Sequence, residues 1–377
     1  MAKRSINTDF AKELVTRRVN LLRYTQTVRG KVLDHLRLME TELVRKVRES
    51  ELAGTDYTKL RLKALLRQTR ETINTYYGNA ETQLDQELLN IAQVEGQTLQ
   101  AIAAELISKQ IETVVLTPTQ LERIVNTSLV RGAPSEDWWS KQSLDTTLRF
   151  ESEMRLGLSM GETNDQLVKR LRGTPTGKRI VIGDKTVRET TGGVMQTSRN
   201  EAEALVRTSV QKVSNDTLMQ TYKENSDLIK GVQLIVTLDS RTTPICIALS
   251  GGAWDLDGAP LPDSPVKRPY PGPPPYHWNC RSVIVPITKS WEELSGIKGL
   301  GEQVPDDTRA SMDGQVPKAD LTYESWLKEK DKEDPQFARD VLGDGRYELW
   351  KAGDIKLNQL VSDGLKPLTL QQLKDLN

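Results

Sequence analysis

The sequence is poor in the residues that carry most covalent and acid–base chemistry. Two cysteines, Cys246 and Cys280, in 377 residues cannot build a disulfide scaffold, and such usage fits a chain made in a reducing compartment. Two histidines occur, His35 and His277, so any mechanism needing an imidazole must use one of them. Aromatic residues are 5% of the chain, with three Phe, which leaves the core to Leu, Ile and Val. No apolar run is long enough for a membrane-spanning helix, so no integral membrane segment is expected. The basic start at residues 1–7 has no apolar stretch behind it, so it does not read as a secretory leader. The patterns GxxxxGK[ST], HExxH, CxxC and a GxGxxG after a strand are all missing.

What is present is charge and length. Charged residues are 28% of a 42.4 kDa chain with a mean hydropathy of −0.52, a polar balance spread over two or three structural units. Net charge is zero but uneven: residues 1–75 hold 17 Lys/Arg against 9 Asp/Glu, and residues 301–377 hold 11 against 16. The overall balance excludes a wholesale nucleic-acid binder. It leaves open a local contact with DNA or an acidic partner through Arg29, Lys31, Arg37, Arg45 and Lys46. Residues suited to base stacking are sparse there, chiefly Tyr24 and Tyr57.

Residues 8 to about 115 read as long helices. Val28, Val32, Leu36, Met39, Leu43 and Val47 recur at steps of three and four, as do Leu84, Leu88, Ile91, Val94, Ile102 and Leu106, with a break at Ala53-Gly54-Thr55-Asp56. A boundary is expected at Gly132-Ala133-Pro134 and Trp138-Trp139, then helix from Leu144 to about Leu171. A hairpin follows, Arg179–Ile182 and Lys185–Arg188 around a Gly183-Asp184 turn. Residues 199–224 read as an amphipathic helix and Val232–Leu238 as a buried strand. Eight of the 17 prolines lie between Pro260 and Pro275, which implies an extended loop. Val283–Ile287 reads as a returning strand, and short helices are expected at Tyr323–Lys330, Pro335–Val341 and Leu368–Leu376.

The fold class is therefore α+β and predominantly α-helical. Residues 1–130 form long helices, residues 131–290 a central mixed domain with a small β-sheet, and residues 291–377 a loop-rich extension. The seven tryptophans, Trp291 among them, fit interface anchors, and core packing explains most of them equally well.

Few residues suggest chemistry. Gly157-Leu158-Ser159-Met160-Gly161 matches GxSxG, but a nucleophile elbow follows a strand, and here the upstream pattern is helical. Cys246, His277 and Cys280 are possible zinc ligands, since His277 and Cys280 are three apart and Cys246 follows a strand whose partner starts near Ser282. A structural site wants four ligands, so Asp239 or Asp255 would have to complete it. The alternative is a packed cysteine beside a hydrogen-bonded loop histidine, and with three clear ligands this reading is favoured, so no cofactor is expected. A reactive Cys280–His277 pair lacks a visible orienting acid. Arg241 is placed to clamp Asp239 bidentately in the turn after the strand.

Taken in order, Ala204-Leu205-Val206-Arg207-Thr208, Leu238-Asp239-Ser240-Arg241-Thr242, Pro244-Ile245-Cys246, Leu249-Ser250-Gly251-Gly252 and His277-Trp278-Asn279-Cys280-Arg281 closely resemble the Mu F-like head morphogenesis family of tailed bacteriophages. The resemblance spans about residues 145–290, and Ser311–Pro317, Trp326-Leu327 and Leu342-Gly343 look like the extension such proteins often carry. It singles out Arg207, Thr208, Asp239, Arg241, Cys246, Gly251, His277, Asn279, Cys280 and Arg281 as a structural motif. This chain departs from the family pattern in two places, with Thr243 and Ser282 where cysteines often stand. The resemblance implies a non-enzymatic minor head protein, made in the host cytoplasm and housed in the virion near the portal. Its implied partners are the portal protein and the major capsid or scaffolding protein. The alternative is an internal protein that binds packaged double-stranded DNA and leaves with it.

Overall fold

The computed structural model describes residues 6–50, 58–106, 113–182, 185–289 and 322–376. Helix α1 (Ile6–Glu49) is 44 residues long, roughly 66 Å at about 1.5 Å per residue. Its predicted stripe, Val28 through Val47, is completely buried. It packs along α2 (Thr58–Gly96), where Leu84, Leu88 and Ile91 are buried in turn. Val94 departs from expectation and is 63% exposed, because at about 100° per residue it sits roughly 60° past Ile91 and leaves the seam. The expected break at Ala53-Gly54-Thr55-Asp56 lies outside the described residues, as does Ser311–Pro317.

Two short helices follow, α3 (Thr98–Leu106) and α4 (Pro118–Thr127), the latter opened by a capping box between Thr117 and Gln120. Gly132-Ala133-Pro134 is a tight turn, with Arg131 and Gly132 at φ of +53° and +87°. The helix expected from Leu144 begins earlier. Helix α5 (Ser135–Ser159) starts directly after Pro134, so Trp138 and Trp139 sit in its first turns rather than in a linker. Thr163 and Gln166 box the start of α6 (Asn164–Arg172). Strands β1 (Thr174–Ile182) and β2 (Lys185–Thr191) make an antiparallel pair longer than expected, and its Gly183-Asp184 turn is outside the described residues.

Helix α7 (Val194–Glu224) is the spine of the molecule. Its side chains are buried on most faces, not one, because α1, α2 and α5 pack around it and β5 packs on it as well. The amphipathic helix expected there is thus a central one. Strands β3 (Ile229–Ile235), β4 (Ala253–Asp255) and β5 (Val283–Thr288) form an antiparallel sheet in the order β4–β3–β5. The strand expected at Val232–Leu238 is shifted three residues toward the N-terminus, yet Val236 and Leu238 stay buried beyond the ladder. Gly231 lets β4 close on β3, since a Cβ there would lie 2.3 Å from the Trp254 carbonyl oxygen.

Two apolar cores meet along α7. One joins α1, α2, α5 and α6 to the first half of α7; the other joins its last turns to the sheet and to the C-terminal helices. Those helices, Tyr323–Glu333, Pro335–Leu342, Asp344–Ala352 and Leu370–Lys374, include one the sequence did not announce, at Asp344–Ala352. Among the described residues, no helix is long and apolar enough to cross a membrane.

Candidate functional site

The proline-rich segment is an irregular loop held at several points. Trp254 Nε1 donates to the Arg268 carbonyl (2.8 Å), Arg268 Nη1 donates to Ser362 O (2.8 Å), and Arg131 Nη1 donates to Tyr276 O (2.7 Å). These anchors deliver residues 277–281 to one end of the sheet. Pairing of β3 with β5 brings the loop after β3 to the same end.

Asp239 organises that loop. Its Oδ1 accepts the Arg241 N–H (3.0 Å) and the Thr242 hydroxyl (3.1 Å), an Asx-type turn. The bidentate partner is Arg281, not Arg241: Arg281 Nη1 donates to Oδ2 at 2.5 Å and Nη2 to Oδ1 at 2.7 Å. The expected Asp239–Arg241 clamp fails for a geometric reason. A turn that aims the Arg241 N–H at Asp239 sends the Arg241 side chain outward, and it is exposed. Burial works to raise the Asp239 carboxyl, but Arg281 together with the Arg241 N–H and the Thr242 hydroxyl outweighs it and holds the group below the ordinary carboxylate value.

Thr208 ties α7 to the 277–281 turn, donating to Ala204 O (2.7 Å) and accepting the Asn279 N–H (3.1 Å). Asn279 has φ +58°, a left-handed conformation that Asn tolerates better than most residues. Arg207 pairs with Glu203 at 2.5 Å. Gly251, at φ +75°, shapes the turn in which Ser250 Oγ accepts the Tyr323 N–H (2.9 Å). The Tyr323 hydroxyl donates to Asp239 O (2.7 Å), so the C-terminal helices dock on the motif itself.

Cys246, on α8 (Pro244–Ala248), His277 and Cys280 converge. Cys246 Sγ lies 3.2 Å from His277 Nε2 and 3.7 Å from Cys280 Sγ, and Ser282 Oγ donates to Cys246 Sγ at 3.2 Å. His277 Nδ1 is 2.9 Å from the Trp278 carbonyl. A carbonyl only accepts, so Nδ1 carries a proton and it is Nε2 that faces the thiols; burial works against a charged ring, but Cys280 outweighs it and pushes the imidazole above its ordinary value. The hydrogen bond from Cys246 and then His277 push the Cys280 thiol down against burial, while Cys246 is pushed up. Neither candidate fourth ligand joins: Asp239 is engaged by Arg281, and Asp255 Oδ1 accepts the backbone N–H groups of Asp257 and Ala259.

The remaining candidates are placed elsewhere. Ser159 closes helix α5 and its hydroxyl donates to Leu156 O, so the GxSxG run is a helix end, not a strand-to-helix elbow. All five basic candidates on α1 are ion-paired within the chain: Arg29 with Glu203, Lys31 with Glu87, Arg37 with Asp34, Arg45 with Glu42 and Glu49, and Lys46 with Glu42. Sequence reasoning missed Gln211 and Asn215. Gln211 Nε2 donates to Ser282 O (2.9 Å) and Asn215 Oδ1 accepts the Ile284 N–H (3.2 Å), so α7 covers the outer edge of β5. Two amides one turn apart on an otherwise buried helix were the available signal.

The match to known families falls on this assembly. Residues 149–285 match the model of a family described as Phage Mu protein F like protein. Over this segment the chain is similar to the phage Mu F-like family. The Mu F-like segment begins inside α5 and ends in β5, close to the 145–290 span that the motifs implied. It contains every one of the motif residues named above. No curated protein and no solved structure matches the chain.

Proposed function

We propose that this protein is a minor head protein of a tailed phage, a structural component that acts in head morphogenesis inside the procapsid and associates with the portal. The observation that carries the reading is the Mu F-like match over residues 149–285, which coincides with a hydrogen-bonded motif joining helix, sheet and C-terminal segment. The long α1–α2 pair offers an extended surface for docking on portal, scaffolding or major capsid protein, consistent with residence in the virion after assembly in the host cytoplasm. Arg207, Thr208, Asp239 and Arg281 are engaged by partners within the chain, which suits a scaffold better than an active site. The DNA-holding alternative has less support, because the five cations assigned to it already have acidic partners.

Quantitative mass spectrometry of DNA-filled particles, empty procapsids and particles after ejection tests the proposal. A low copy number in procapsids and filled particles is expected. Absence from all three would overturn it, and loss on ejection would transfer the protein to the class that leaves with the genome.

A further inference from the structure

The head-protein reading gives the Cys246, His277 and Cys280 side chains no chemical role, yet their donor atoms converge. Among the described residues, they are the one group of three or more His, Cys, Asp or Glu whose donor atoms gather within 4.8 Å of one another, and both cysteines are buried. A tetrahedral zinc ion, with Zn–S near 2.3 Å and Zn–N near 2.0 Å, separates two sulfurs by about 3.8 Å and sulfur from nitrogen by about 3.5 Å. The sulfurs here are 3.7 Å apart and Cys246 Sγ is 3.2 Å from His277 Nε2, so small shifts would seat the ion. The sulfurs are also well beyond the roughly 2.05 Å of a disulfide.

The surroundings fit a metal as well. Donation from His277 Nδ1 to the Trp278 carbonyl fixes the tautomer that presents Nε2, the outer-sphere arrangement typical of metal-bound histidine. Two thiolates would neutralise a dication without further acid. His277 and Cys280 line a cleft of about 410 Å³, together with Thr243, Arg207, Arg241 and Arg281, so a water can reach the fourth position. The buried Ser282 hydroxyl donates to Cys246 Sγ and so adjoins the donor set from within the core.

We propose that Cys246, His277 and Cys280 bind one zinc ion, leaving a fourth position open to solvent in this cleft. The ion would clip α8 to the turn before β5, closing the proline-rich loop between them. This stands independently of the head-protein reading.

The test uses the full-length chain, purified without chelator, with elemental analysis followed by titration of the stripped protein with Zn²⁺ and Co²⁺. One equivalent of zinc per chain is expected, with thiolate-to-cobalt charge-transfer absorption on Co²⁺ loading. Cys280→Ser and His277→Asn should each weaken Zn²⁺ binding by on the order of a hundredfold. Cys280→Ser also alters a buried core position, so Ser282→Cys provides the converse arm. A third thiolate should tighten binding by about tenfold or more. Less than about a tenth of an equivalent without a cobalt band overturns the proposal. So does binding that survives both ligand substitutions, failure of Ser282→Cys to bind more tightly, or loss of both titratable thiols to a Cys246–Cys280 disulfide.

Discussion

The substitution that most directly probes the motif is Arg281→Ala, read against Arg241→Ala. Arg281 makes two charge-assisted hydrogen bonds to an Asp239 side chain that is 11% exposed, while its own side chain is 27% exposed. Breaking a buried pair costs about 3–5 kcal/mol, and the partial exposure of Arg281 reduces this to about 2–3 kcal/mol. At roughly 1.4 kcal/mol per decade, the local opening equilibrium rises about thirtyfold or more. Arg241 contributes its backbone N–H to Asp239, a bond that alanine keeps, so Arg241→Ala should stay within about 0.5 kcal/mol of the parent. The chain's two cysteines both lie in this core, so the rate of thiol labelling after chelator treatment, followed across a urea series, reports opening of this region. Equal effects of the two substitutions, or a cost below about 1 kcal/mol for Arg281→Ala, would refute the assignment of the clamp.

Three further outcomes follow from local geometry. Asn279→Val should lower stability by about 1–2 kcal/mol through its positive φ, while Asn279→Gly should be nearly neutral; urea midpoints that rank them the other way would remove the conformational argument. Gly231→Ala would place a Cβ 2.3 Å from the Trp254 carbonyl and should cost more than about 2 kcal/mol, visible as faster hydrogen exchange in β4 than in α1. Asp331 accepts from the Tyr347 hydroxyl at 2.9 Å and from Lys351; burial opposes its ionisation, yet these partners hold its carboxyl below the ordinary value. A depressed folded-state value contributes stability above the unfolded-state value, about 3.9, and loses it as pH falls through the folded one. Asp331→Asn should therefore lower the urea midpoint at pH 7, with the gap closing only as the pH falls past the unfolded-state value and then through the lower folded-state one; a gap that does not narrow on acidification would contradict the linkage.

The long helices were legible because their information is local. A stripe repeating every three to four residues from Val28 to Val47 can face only one way, and all of it is buried. Fold class, the proline loop and the antiparallel return from β3 to β5 were legible for similar reasons. The amphipathic assignment of α7 failed because periodicity marks the strongest apolar face but does not count neighbours. Ser198, Thr208 and Asn215 are buried too, each hydrogen-bonded within the core. The Asp239 clamp went to the wrong arginine because spacing favours a partner two residues away, whereas the true one, 42 residues on, arrives through strand pairing. The family motif lists both arginines and does not say which one reaches the carboxylate.

A site that acts on a ligand keeps some strong donors uncommitted, since a donor already paired must give up that partner to act. In the Mu F-like segment the commitments run inward. Thr208 is spent on the Asn279 N–H, Asp239 on Arg281 and two groups of its own turn, Gln211 and Asn215 on the edge of β5, and Ser250 on the Tyr323 N–H. Each of these bonds joins chain segments that are far apart, or fixes a loop that does, so removing one loosens a junction before it alters any surface. Arg241 is the motif arginine whose side chain stays exposed, and it lines the same cleft as His277 and Cys280. If the motif is a joint, Thr208→Val should lower thermal stability and particle incorporation together. Arg241→Glu, which reverses a charge at the mouth of the cleft, should lower incorporation alone if that face meets an acidic partner and leave both unchanged if it does not.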